Sequence, residues 1–102
     1  MNEQRALNAF SALSNKSRLD VVRFLVKAGP EGKNAGTIAN ALSASPSQIS
    51  FHLSALAESG LVTSERRARQ IIYRVDFETF RALVGFLLKD CCQGAVRPDD
   101  CC

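Results

Sequence analysis

Residues 45–57 read Ser45-Pro46-Ser47-Gln48-Ile49-Ser50-Phe51-His52-Leu53-Ser54-Ala55-Leu56-Ala57. Ser45 is placed to cap a helix, Pro46 takes the first helical position, where its missing N–H costs nothing, and Gln48 is three residues on, where its side chain can reach back to the cap. This capping box predicts a helix starting at Pro46. Ile49, Leu53, Leu56 and Ala57 line one face of it, and Gly60 can close it in a left-handed conformation. The opposite face shows Ser47, Ser50, Phe51 and Ser54, short polar groups and one aromatic where a solubilising surface would carry Lys and Glu. Such a face is built for contact.

Upstream, Ala6, Leu7, Phe10 and Leu13 recur at helical steps and predict a first helix ending near Ser14. A second helix over 16–28, capped by Asn15 or Ser14, carries Leu19, Val22, Leu25 and Val26 as its apolar stripe and stops at Gly29-Pro30. Glu31 to Asn34 reads as a turn. Gly36 to Leu42 reads as a brief third helix with Ile38, Ala39 and Leu42 facing inward. Downstream, Leu61 to Glu65 and Gln70 to Val75 are rich in β-branched and aromatic residues, and Arg66-Arg67-Ala68-Arg69 separates them, which predicts a two-stranded hairpin with an arginine tip. A last helix follows from Phe77, with Phe80, Leu83, Val84, Leu87 and Leu88 at helical spacing up to Lys89. It is too apolar for a single neighbour, so a homodimer through the first and last helices is expected.

The chain has 102 residues, 46% apolar and 23% charged, which suits one globular domain. The predicted boundary sets a domain over 1–92 against a tail over 93–102. No apolar run approaches the roughly 20 residues of a membrane-spanning helix. The N-terminus lacks a basic segment leading into an apolar one, so a cytoplasmic protein without a membrane partner is expected. Net charge is +3, unevenly spread: residues 90–102 hold Asp90, Asp99 and Asp100 against Arg97, leaving 12 basic and 7 acidic groups, or +5, on residues 1–89. A catalytic set is not visible. The one histidine lies in the helix after Ser45, no glycine-rich phosphate loop occurs, and the carboxylates are scattered.

Two short helices joined by Ser43-Ala44-Ser45 and followed by an arginine-tipped hairpin describe a mainly α fold with a β-hairpin wing. This is a winged helix-turn-helix whose second helix fits the major groove of DNA. With Ala12-Leu13-Ser14-Asn15-Lys16-Ser17-Arg18-Leu19 entering the second helix, Ile49-Ser50-Phe51-His52-Leu53 in the recognition helix and Gly60-Leu61-Val62 entering the wing, the chain resembles the ArsR/SmtB family of bacterial metal-responsive repressors over nearly its whole length. The resemblance implies a dimeric repressor that sits on operator DNA and leaves when an inducer binds. On that reading Ser47, Gln48, Ser50, Phe51 and Ser54 face DNA. Gln48 could pair with adenine unless the capping box occupies it, and Phe51 could press a thymine methyl. Arg66, Arg67 and Arg69 would reach phosphates or the minor groove, supplying affinity rather than sequence choice. His52 matches a position that is often His in the family, and either reads a base or packs at the helix edge against a phosphate or backbone.

Family members carry inducer sites in several places, and two are missing here. Gly36 to Leu42 has no cysteine for a third-helix arsenite site, and the last helix has no histidine for a carboxylate–histidine zinc site. All four cysteines, Cys91, Cys92, Cys101 and Cys102, fall in the last twelve residues. This arrangement is similar to that of arsenite-responsive members with a vicinal pair after the last helix. The chemistry points the same way: thiolates without imidazole select soft ions, and As(III) takes three thiolates in a pyramid whereas structural zinc takes four in a tetrahedron. The eight intervening residues include Gly94 and Pro98, letting the tail double back so that Cys101 or Cys102 meets Cys91 and Cys92. The expected inducer is As(III), with Sb(III) or methylarsenite as variants of the same chemistry. Zinc or cadmium on four thiolates, a disulfide redox switch, unliganded tail thiols and a small thiol oxidoreductase remain as alternatives, although the last lacks a C-x-x-C at a helix start.

Overall fold

In the computed structural model, residues 1–90 are described, and the predicted boundary at 92/93 lies outside them. Helix α1 (Glu3–Leu13) starts where Asn2 Oδ1 accepts from the Arg5 N–H at 2.8 Å. Helix α2 (Lys16–Ala28) is capped by Asn15, whose Oδ1 accepts from the Arg18 N–H at 3.1 Å. Both helices form where the apolar spacing places them, but each is turned relative to the expected stripe. In α1 the core takes Ala6, Ala9 and Ala12, Phe10 and Leu13 pack partly against it as expected, and Leu7 is 55% exposed. In α2 it takes Val21, Val22 and Leu25 and leaves Leu19 and Val26 exposed. A face of alanines lets α1 approach its neighbours closely, with Leu7 turned outward.

Gly29 ends α2 at φ +77°, and a single 3-10 turn (Gly29–Glu31) follows. The turn expected over 31–34 instead runs into a two-residue strand, β1 (Lys33–Asn34). Gly32 makes this possible: its φ is +71°, and a Cβ there would run into the Tyr73 carbonyl oxygen and lie 2.9 Å from Ile72 Cγ2. Helix α3 (Ala35–Leu42) is capped by Asn34, and Ser43 follows in the left-handed conformation. Helix α4 (Pro46–Glu58) opens with the full capping box: Ser45 Oγ accepts from the Gln48 N–H, and Gln48 Oε1 accepts from the Ser45 N–H, both at 3.2 Å.

Strands β2 (Val62–Arg67) and β3 (Gln70–Val75) form an antiparallel hairpin closed by Ala68 and Arg69, with Ala68 at φ +57°. Strand β1 adds to β3 through Lys33↔Tyr73 and Asn34↔Ile72, giving a three-stranded sheet in the order β1-β3-β2 rather than a free two-stranded wing. Helix α5 (Phe77–Leu88) is capped by Asp76. The core is centred on Val21, Leu25, Ile38, Ile49, Leu53, Leu56, Leu61 and Val62, so α4 is fixed from behind by α2, α3 and the root of the wing. Ala57, expected among the inward residues, is exposed. Only Leu83 of α5 is fully buried; Phe77, Phe80 and Phe86 pack partly against the core, and Val84 and Leu87 are 51% and 60% exposed. No helix among the described residues is long and apolar enough to cross a membrane.

Candidate nucleic-acid interface

With Ile49, Leu53 and Leu56 committed to the core, helical geometry leaves Ser47, Gln48, Ser50, Phe51 and Ser54 exposed on the outer side of α4. Phe51 is 64% exposed, a large apolar side chain held in water with little of its surface covered. The capping box occupies Gln48: a bidentate contact to adenine needs both its amide oxygen and its amide nitrogen, and the oxygen already accepts from Ser45. Pairing with adenine through both atoms therefore requires that end of the box to open.

His52 is half-buried, and its Nδ1 accepts from Arg18 Nε at 3.3 Å. Its ring meets Phe51 edge to face, with centroids 5.6 Å apart, and Arg18 Cζ lies 5.7 Å from the Phe51 centroid. The histidine is thus held between α2 and α4 at the edge of the exposed face. Arg18 stands in the stretch that carries the family resemblance but was not among the residues expected at the interface. Its signal was indirect: the one histidine of the chain, beside a buried strip, needs a polar partner.

The wing arginines do not form a single cluster. Arg66 and Arg67 end β2, paired with Ile71 and Gln70, and only Arg69 lies in the turn. Alternation along the strands sets Arg67 on one face with Glu65 and Arg74, and Arg66 on the other with Ile71. One oxygen of Glu65 accepts from Arg74 Nη2 at 2.7 Å and from Arg67 Nη2 at 3.2 Å. The Glu65 carboxyl is held below its ordinary value, first by the hydrogen bond from Arg74, then by the charges of Arg67 and Arg74. Arg66 and Arg69 make no salt bridge among the described residues. Glu65 and Arg74 were not singled out in the sequence, because pairing across a hairpin shows only once its register is known.

Cys91, Cys92, Cys101 and Cys102 lie outside the described residues. Among those described, no three His, Cys, Asp or Glu side chains come together to hold a metal.

A family profile described as a helix-turn-helix domain matches residues 13–65, which takes in α2, α3, α4 and most of β2. The HTH-type transcriptional regulator YgaV of Escherichia coli (strain K12) is 30% identical over 84 residues, 82% of this chain and 83% of that protein. Among solved structures, an ArsR-like transcriptional regulator from Rhodococcus sp. RHA1 matches with a TM-score of 0.74 at 30% identity, covering 82% of this chain and 76% of the other. The homodimeric winged helix-turn-helix DNA-binding domain Mb0332 from Mycobacterium bovis matches with a TM-score of 0.68 at 26% identity, covering 85% and 81%. The relatives are regulators, and so the chain is no enzyme. An exposed serine-rich helix face beside an arginine-bearing wing, on a scaffold shared with these proteins, makes the chain a member of the ArsR family of winged helix-turn-helix transcriptional regulators.

Proposed function

We propose that the protein is a homodimeric repressor of the cytoplasm that binds operator DNA and is released by As(III). The observation that carries the DNA-reading part is the outer side of α4, where Ser47, Ser50, Phe51 and Ser54 stand exposed while Ile49, Leu53 and Leu56 anchor the helix from behind. Two such helices in successive major grooves, roughly 34 Å apart, would read an imperfect inverted repeat. Gln48 and His52 border that face, and Arg66, Arg67 and Arg69 supply phosphate contacts. Pairing is supported by Leu7 of α1 and Val84 and Leu87 of α5, apolar side chains left in water by the single chain. Mb0332 is itself homodimeric.

The choice of As(III) rests on the donor set: four thiols, no imidazole among them, and two of the four following α5 in sequence after Lys89 and Asp90. Cys91 and Cys92, sharing the ion with Cys101 or Cys102, would pull on the end of the dimerising helix and change how the two reading heads are set. A coupling of about 1–3 kcal/mol per site is enough to shift occupancy. Sb(III) and methylarsenite would act through the same thiolates.

A gel shift on an arsenic-resistance promoter, with arsenite, antimonite, methylarsenite, zinc and cadmium added in turn, tests this reading. Wild-type protein should leave the DNA with trivalent arsenic or antimony, and Cys91→Ser or Cys92→Ser should bind equally well yet stay bound. Release by zinc or cadmium alone would make the chain a sensor of those metals, and thiols already lost before arsenite is added, read by Ellman titration, would make it a redox switch.

A further inference from the structure

We infer that Arg18 is a positioning residue for the reading face: from α2 it grips two neighbouring side chains of α4 and sets how Phe51 and His52 are presented to DNA. The inference rests on the proposal that α4 reads the operator.

Arg18 stands in the first turn of α2, where the Asn15 cap holds its backbone. Its side chain crosses to α4 and divides its planar group between two tasks. Nε donates to His52 Nδ1 at 3.3 Å, and the guanidinium carbon lies 5.7 Å from the Phe51 centroid, within the range of a cation–π contact. With Nδ1 accepting, the ring proton of His52 belongs on Nε2, so the bond selects a tautomer as well as an orientation.

Among the described residues, no other side chain hydrogen-bonds the His52 ring. Phe51 is mostly in water and otherwise touches only its helical neighbour His52 among aromatic rings, edge to face. Nor does Arg18 form a salt bridge with an acid among the described residues. Asp20 pairs with Lys16 at 2.9 Å, and Glu58, which shares an open cleft of about 320 Å³ with Arg18, makes no salt bridge to it. An arginine that leaves the acids of its surroundings for an imidazole and a phenyl ring is fixing their geometry. Lysine has no planar group with which to donate from one edge and cover a ring with its face.

The test compares wild type, Arg18→Ala, Arg18→Lys and Phe51→Ala on two duplexes, one enriched from random sequence by the wild-type chain and a scrambled duplex of equal composition. Both Arg18 variants should lower the ratio of the two affinities about tenfold, the discrimination carried by one base pair. Thermal midpoints should stay close to wild type, and Arg18→Lys should keep the wild-type salt slope. In ¹⁵N spectra of DNA-free protein, His52 should pass from one tautomer in wild type to a mixture in both variants. An unchanged ratio in the Arg18 variants, with Phe51→Ala lowering it, overturns the positioning role. So does full rescue by Arg18→Lys, or an equal loss on both duplexes with the salt slope reduced by about one, which would mark a phosphate contact. If Phe51→Ala also leaves the ratio unchanged, or no duplex is enriched, the assignment of α4 as the reading helix fails instead.

Discussion

Glu65 is an acid among the cations of the wing, and its effect is larger than its single charge. One carboxylate oxygen ties up Arg67 and Arg74, so an arginine counted as a phosphate contact is already partnered in the free protein. A phosphate approaching Arg67 must compete with that carboxylate and meet its repulsion. Glu65→Gln is expected to tighten DNA binding severalfold at low salt and to steepen the dependence of log K on log salt by up to about 0.9, the value of one phosphate contact. Anisotropy titrations over a range of salt would measure it. The clasp has a defined pH range. Because the folded-state pKa is lowered, its stabilising contribution is complete above the unfolded carboxylate value and is lost as pH falls through the lower folded one. A ¹³C titration of the Glu65 carboxyl should therefore show a midpoint below that of an ordinary glutamate, and Arg74→Ala should move it back up.

Strand β1 depends on one glycine. Gly32 combines a left-handed φ with a close approach to Tyr73 and Ile72, whereas Gly29 has a similar φ and no atom within 4 Å of an added Cβ. Gly29→Ala should cost only the backbone strain of about 1–3 kcal/mol that its positive φ with extended ψ imposes on a residue with a Cβ. Gly32→Ala adds overpacking of about 1–3 kcal/mol and should detach β1 from the sheet. Thermal unfolding of the two variants side by side would separate strain from collision. The same comparison shows why elements differed in how readable they were. Helices α2 and α4 were legible because caps and punctuation stand in the sequence itself: Asn15, Ser45-Pro46-Ser47-Gln48 and Gly29-Pro30. Their inner faces were legible only in part, since Leu19, Val26 and Ala57 fit the period as well as the residues that are buried. Strand β1 was not legible, because two residues carry no alternation and their pairing is with a segment some forty positions away. At the candidate site the serines and Phe51 of α4 could be found by the absence of Lys and Glu. Arg18 and the Glu65 clasp could not, since each arises from a contact between separate elements.

For the whole molecule, the outward residues of α1 and α5 decide whether one chain is sufficient. Leu87→Glu should yield a monomer by light scattering with its helical content largely kept. DNA affinity should fall by about 10²-fold or more, because two heads held together gain an effective concentration that separate heads lack. A variant that stayed dimeric would locate the pairing surface elsewhere. Helix α1 touches α2, α4 and α5. Its fully buried residues are all alanine, Ala6, Ala9 and Ala12, with Phe10 and Leu13 half-buried beside them. Alanine has no χ torsion to turn, so these three side chains cannot adjust to a neighbour by changing rotamer. At those positions the spacing between α1 and its neighbours is set by backbone bulk alone, so any larger side chain there would wedge the helices apart.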